Sequence, residues 1–172
     1  DESADLAALA HTPVVTVCAG PKSILDARAT LERLESAGVP VLGYRSDHLA
    51  GFHVPTTDIP VAHRVDDPTT IASIKRQQDA LALPQGIVIS NPVSNGIPRD
   101  TYERWLRNAH AEAIAANVSG PGTTPFLLDA LAKASEGVTV DVNLRLLHEN
   151  ADLATQVARA LASFPNEPGD TA

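Results

Sequence analysis

The chain holds three lysines, and one of them, Lys22, stands where an amine can do chemistry. It closes the run Val14-Val15-Thr16-Val17-Cys18-Ala19-Gly20-Pro21 and precedes Ser23-Ile24-Leu25-Asp26. The β-branched run reads as a short strand buried on both faces, and the segment after Lys22 as a helix start with Ser23 at its cap. In α/β sheets, ligands collect outside the carboxyl ends of the strands. The exposed amides of a helix N-terminus act as about half a positive charge, which disfavours an ammonium beside them. A lysine held as a free amine can attack a carbonyl and form a Schiff base. Position alone leaves a second reading open, a solvent-facing lysine in a strand–helix turn. Lys75 and Lys133 fall on amphipathic helical patterns and read as solvated surface.

Other polar residues carry weaker signals. Ser3 and Asp5 precede Leu6 and Leu9 and fit the cap and first turn of a helix. Asn143 fits the cap of the last helix. His48, His53 and His63 cluster in sequence, but their spacings match no zinc pattern and no cysteine joins them.

These residues need a frame. Strand 14–19, a helix ending at Gly38 and a second strand, Val39 to Tyr44, make a parallel crossover unit. Residues 45–63 carry Gly51, Pro55 and Pro60 without a clear period and read as a long surface loop. A helix from Asp67-Pro68 to about Leu83 follows, then a third strand, Ile87 to Ser90. A helix capped by Asp100 or Thr101 runs to about Ala116. After the turn Ser119 to Thr123 come a short helix, Pro125 to Ala134, and a last helix from about Val142 to Phe164. The predicted class is α/β: a layered α/β/α fold on a mixed, mostly parallel sheet of about three strands, incomplete in this chain. Residues 1–165 are read as one domain and 166–172 as a mobile acidic tail.

Composition narrows the function. The chain has 172 residues, 44% hydrophobic and only 3% aromatic, with a formal net charge of −8. Such a balance argues against a phosphate-backbone interface and leaves a small anionic substrate open. One cysteine makes no internal disulfide, and no apolar run approaches the roughly 20 residues that span a bilayer. A cytoplasmic protein with no nucleic-acid or membrane partner is expected. The chain begins at Asp1 and has no methionine, which reads as a trimmed domain or processed fragment.

Several segments occur together in order. They are Asp1-Glu2-Ser3-Ala4-Asp5-Leu6, His11-Thr12-Pro13 and Val17-Cys18-Ala19-Gly20-Pro21-Lys22, then Gly38 to Tyr44, Arg64-Val65-Asp66, Ser90-Asn91-Pro92, Thr124 to Leu128 and Asn143. In these residues and their gaps the chain resembles the C-terminal portion of the pseudouridine-5′-phosphate glycosidase family, which includes indigoidine synthase A-like proteins. The resemblance implies that Lys22 is the nucleophile forming an imine with C1′ of a ring-opened ribose. It implies that Asp1 is the carboxylate ligand of Mn²⁺ or Mg²⁺, and that Ser3, Ala4 and Asp5 contact the ribose phosphate. Asn143 matches an asparagine near the uracil or sugar. The implied reaction is cleavage of the carbon–carbon glycosidic bond of pseudouridine 5′-phosphate to uracil and ribose 5-phosphate, by a homo-oligomer, a trimer.

Departures accompany the match. Val93-Ser94-Asn95-Gly96 stands where the family has Ile-Pro after Asn-Pro, and Gly120-Pro121-Gly122-Thr123 stands where it often has a Lys-Glu pair. The family's general acid glutamate and a further phosphate-binding lysine belong to an N-terminal half, so residues 1–172 alone are expected to be inactive. Two other functions fit the same residues: a pigment-biosynthesis homologue with an altered substrate, and a non-catalytic phosphate-binding module on the same scaffold.

Overall fold

The structure is a computed structural model and describes residues 3–22 and 24–164. Four parallel strands stand side by side in the order β1 (Val15–Cys18), β6 (Ile87–Ser90), β2 (Val41–Tyr44) and β5 (His63–Val65). Side-chain alternation divides the sheet into two faces. Val41 and Val88 point toward α2 (Ala27–Ser36), where Leu31 and Leu34 meet them, with α1 (Ala4–His11) alongside. Leu42, Ile87 and Ile89 point the other way, onto Ile71 of α3 (Pro68–Ala80) and Leu153 and Val157 of α6 (Val138–Ser163). Each such aliphatic side chain contributes about 1.5–3 kcal/mol on burial. The two faces together fix the register of β6, whose four residues are all buried.

A third cluster sits beyond the sheet, where α4 (Arg99–Ala115), α5 (Thr123–Ala134) and the first turns of α6 pack together. Leu127, Leu131, Val142 and Leu146 enclose Ala19 at the end of β1. The α/β/α layering is as expected, and the main sheet is parallel throughout. Antiparallel pairing is confined to a separate hairpin of β3 (His48–Gly51) and β4 (Val54–Pro60).

That hairpin, together with β5, replaces the long loop expected over 45–63 and makes the main sheet one strand larger than expected. Its period is hidden for two reasons. The register shifts on either side of Ala50, and the prolines Pro55 and Pro60 occupy exposed positions that an isolated two-stranded ladder tolerates.

Three helix starts also differ from expectation. α2 begins at Ala27, because Asp26 takes the cap and accepts the Ala29 amide at 3.0 Å. Ser23, the expected cap, lies outside the described residues. α4 begins at Arg99, directly after Pro98, rather than behind a cap at Asp100 or Thr101. α6 begins at Val138 after Gly137, whose φ of 90° turns the chain sharply out of α5, so Asn143 lies inside the helix. Lys75 departs from the surface reading. It is only 8% exposed, its stem buried in α3 and its ammonium paired with Asp79 one turn on. The expected tail, 166–172, lies outside the described residues.

Candidate functional site

The chain leaving β1 crosses to α2 on one face of the sheet, whereas the chain leaving neighbouring β6 heads for the α4–α6 layer on the other. Connections that part in this way open a crevice at the carboxyl ends of the two strands. Lys22 lies at that edge. The backbone leading to it is closely specified. Asn91 N–H donates to the Cys18 carbonyl at 2.8 Å, joining the ends of β1 and β6. Ala19 is buried, and Gly20 follows with φ +86°. A Cβ at Gly20 would sit 2.0 Å from the Ala50 carbonyl oxygen, so only glycine fits. Leu25 N–H then donates to the Lys22 carbonyl at 2.8 Å, forming a turn that presents the exposed Lys22 side chain.

Lys22 opens on a cleft of about 990 Å³ between α1, α2 and the sheet. Its floor is apolar, from Leu6, Leu9, Leu31 and Val88, with the buried Ser90 among them, and its polar lining includes Ser3, Asp5 and Asp26. The structure therefore brings Ser3, Asp5 and Lys22 to one cleft. Ser3 caps α1: its hydroxyl accepts the Asp5 amide at 3.3 Å and donates to the Asp5 carboxylate at 3.0 Å. Ala4 is the first residue of α1 and does not line the cleft. Asn143 is half-buried and sits elsewhere. It does not line the cleft, and its neighbour Val142 packs in the cluster that encloses Ala19. Asp1 lies outside the described residues.

The helix N-terminus expected directly behind Lys22 is not there. α2 starts five residues later and its first turn already holds the Asp26 carboxylate. α1 also presents its N-terminus to the cleft, with the Asp5 carboxylate in its first turn.

Cys18 shares the cleft. Burial pushes its thiol up, and a backbone hydrogen bond from Gly20 pulls it only partly back. A neutral thiol is a poor nucleophile, so Cys18 is not poised for attack. Among the described residues no three His, Cys, Asp or Glu side chains converge as a metal site, and His48, His53 and His63 do not form one. His53 is buried against the rings of Phe52 and Tyr102, with centroids 4.7 and 5.3 Å away. Burial lowers its pKa to about 4.

Sequence reasoning missed the β3–β4 hairpin as part of the site. Phe52 N–H donates to the Ala19 carbonyl at 2.8 Å, and Ala50 N–H donates to the buried Ser90 hydroxyl at 2.8 Å. The available signal was Ser90 itself, a hydroxyl ending the apolar run Ile87-Val88-Ile89. On the other side of β6, α6 fastens the divergent loop. Glu149 accepts from the Ser94 amide at 2.9 Å and from its hydroxyl, Arg145 donates to the Asn95 carbonyl at 2.9 Å, and Asn91 donates to Asn150 at 3.0 Å.

Known proteins share this sequence and fold. The sequence model for indigoidine synthase A-like proteins matches residues 1–160. A pseudouridine-5′-phosphate glycosidase of Thermus thermophilus is 49% identical over 164 residues, covering 95% of this chain and 58% of its own length. That of Saccharopolyspora erythraea is 41% identical, covering 94% of this chain and 54% of its own length. This chain thus spans about half the length of the curated relatives it matches. Among solved structures, the prealnumycin C-glycosynthase AlnA in complex with ribulose 5-phosphate superposes with a TM-score of 0.88 at 35% identity, over 95% of this chain and 54% of that one. An indigoidine synthase A-like protein from Thermotoga maritima gives 0.80 at 34% identity, over 92% and 53%. A family sequence matched over residues 1–160, and a fold shared with solved members, place this chain in the indigoidine synthase A-like protein family.

Proposed function

We propose that this chain carries the lysine-bearing part of a pseudouridine-5′-phosphate glycosidase, an enzyme that separates uracil from ribose 5-phosphate by breaking a carbon–carbon bond. The observation that carries this reading is the shared cleft: an exposed amine, Lys22, and the N-terminus of α1 at Ser3 and Asp5 line one concave site. A phosphorylated sugar has an electrophilic carbon and an anion, and the cleft has a group for each. Relatives 49% and 41% identical are named for this activity.

A carbon leaving group departs poorly, so the two-carboxylate scheme of ordinary glycosidases has little purchase here. Lys22 Nζ bonds to C1′ as the ring oxygen leaves C1′ and takes a proton. The nitrogen lone pair then forms the C1′=N bond while the electrons of the C1′–uracil bond leave with the uracil carbon, which receives a proton from a general acid. Water hydrolyses the imine, freeing ribose 5-phosphate and restoring the amine. Ser3, Ala4 and Asp5 are assigned to the phosphate; the Ser3 hydroxyl, which donates to the Asp5 carboxylate in the structure, turns to the phosphate when substrate binds. Asn143 is assigned to the uracil or sugar.

The resemblance also calls for Mn²⁺ or Mg²⁺ on Asp1. The described residues build no closed cage, so one carboxylate with waters is the coordination this reading requires. An ion so held would offset the charge of the phosphate, and no step above depends on it. Assembly as a homotrimer in the cytoplasm belongs to the same reading. No helix among the described residues is long and apolar enough to cross a membrane.

The deciding experiment is borohydride trapping in the full-length protein with pseudouridine 5′-phosphate. A reduced adduct at Lys22, with uracil release lost in Lys22→Ala, is the expected result. Normal turnover by Lys22→Ala would sink the proposal. One observation favours a second reading: the C-glycosynthase at TM-score 0.88 was solved with ribulose 5-phosphate. A chain using the same phosphopentose chemistry on another aglycone would form the Lys22 adduct with ribose 5-phosphate but release no uracil from pseudouridine 5′-phosphate.

A further inference from the structure

Ser90 is fully buried and ends a strand whose other residues are Ile87, Val88 and Ile89. It stands in register between Cys18 of β1 and Gly43 of β2, and it lines the Lys22 cleft. A small apolar residue would fill that position as well, so the hydroxyl needs a reason. Its partner supplies one. The hairpin register shifts on both sides of Ala50, and the Ala50 N–H donates to Ser90 Oγ at 2.8 Å. A buried amide without that acceptor would be left unsatisfied.

The same stretch of hairpin holds the approach to Lys22 from above. The Ala50 carbonyl lies where a Gly20 side chain would be, and Phe52 N–H bonds the Ala19 carbonyl at 2.8 Å. Ala19 and Gly20 are the third and second residues before Lys22. The bond from Ser90 to Ala50 is thus the side-chain fastening of a backbone grip on the lysine's turn.

We propose that Ser90 is a positioning residue for Lys22: through Ala50 it seats the β3–β4 hairpin on Ala19-Gly20 and so fixes where the amine enters the cleft. The proposal rests on the reading of Lys22 as the nucleophile. Small misplacements of a reacting group can cost about 100-fold in rate, so the effect falls on the bond-forming step rather than on substrate affinity.

The test uses the full-length protein and its Ser90→Ala, Ser90→Cys and Ser90→Thr variants. Cysteine keeps the size of serine and is a weak acceptor, which serves if the alanine variant fails to fold. Threonine keeps the hydroxyl. Adduct formation at Lys22 and kcat should fall about 10- to 100-fold in the alanine and cysteine variants, with KM little changed, and largely recover in the threonine variant. Amide exchange should quicken in 19–25 and 48–54 but not in α3. A folded Ser90→Ala or Ser90→Cys protein that forms the adduct at the wild-type rate overturns the proposal. A wild-type protein that traps no adduct at Lys22 overturns the nucleophile reading beneath it. The exchange data then judge the grip alone: faster exchange at 19–25 upholds it, and unchanged exchange there overturns it.

Discussion

At the residue scale, the place of Lys22 was legible because it follows a β-branched run after the short Ala19-Gly20-Pro21 stop, which puts it beyond a strand's carboxyl end. Its electrostatic setting was not, because the sequence pattern puts the cap of α2 at Ser23, directly after the lysine. Asp26 takes the cap, which removes the helix N-terminus from the lysine's immediate neighbourhood. Asp1 is assigned by resemblance alone. Asp1→Ala in the full-length protein is expected to abolish Mn²⁺ stimulation of uracil release, and unchanged stimulation would end that assignment. His53 makes a different prediction. Its folded pKa of about 4 lies below the usual 6.5, so the unfolded chain binds the extra proton between those values. Stability from this group is therefore complete above about pH 6.5 and is lost as the pH falls toward 4, by about 3 kcal/mol in all. In urea titrations at pH 7 and pH 4.5, a His53→Phe variant should lose less stability on acidification than the wild type. Equal losses would show that His53 is not held neutral.

At the element scale, the parallel strands and the helices that sandwich them were readable because each keeps one clean period. The hairpin was not. A two-residue bulge region and two prolines erase alternation over 48–60, yet this is the element that touches the backbone ahead of Lys22. Gly20 was readable as a turn, but the reason for glycine lies 30 residues away, in the Ala50 carbonyl. Gly20→Ala combines a left-handed backbone with a contact no side chain can make. It should cost more than about 2 kcal/mol in chemical denaturation and detach the hairpin, read as fast exchange at the Phe52 amide. A Gly20→Ala protein as stable as wild type would mean the hairpin does not lie against β1 as described. Asn143 shows the opposite limit: the sequence picked the residue but placed it at a helix cap, whereas α6 extends four residues farther back and carries it mid-helix.

At the scale of the whole molecule, this chain spans 58% and 54% of the length of two relatives, and the cleft shows what residues 1–172 would bring to the proposed reaction. Two carboxylates line it beside Lys22, and both have other duties: Asp5 accepts from Ser3, and Asp26 accepts from Ala29. Two other carboxylates near the strand ends are also engaged, Asp47 with Arg64 and Glu149 with Ser94. Under the proposed reaction, the proton donor for the uracil carbon is therefore expected from outside this set. Loss of a general acid typically costs about 10²–10⁴-fold. Purified residues 1–172 should accordingly release uracil at least about 100-fold more slowly than the full-length protein. Comparable rates would return Asp5, Asp47 and Glu149 to consideration as the acid.

The cleft also carries its own reporter. Cys18 is the chain's one cysteine and its side chain lines the cavity into which Lys22 opens, four residues upstream of the amine. Thiol–disulfide exchange depends on access as much as on thiolate fraction. In purified residues 1–172, where Cys18 is the one thiol, a chromogenic disulfide therefore converts occupancy of the cavity into a colour-forming rate, slow because burial holds the thiol neutral. Phosphosugars can be ranked by how far each slows that rate, and because the readout needs only that the cavity be filled and not that anything turn over, it works equally on variants in which Lys22 has been replaced.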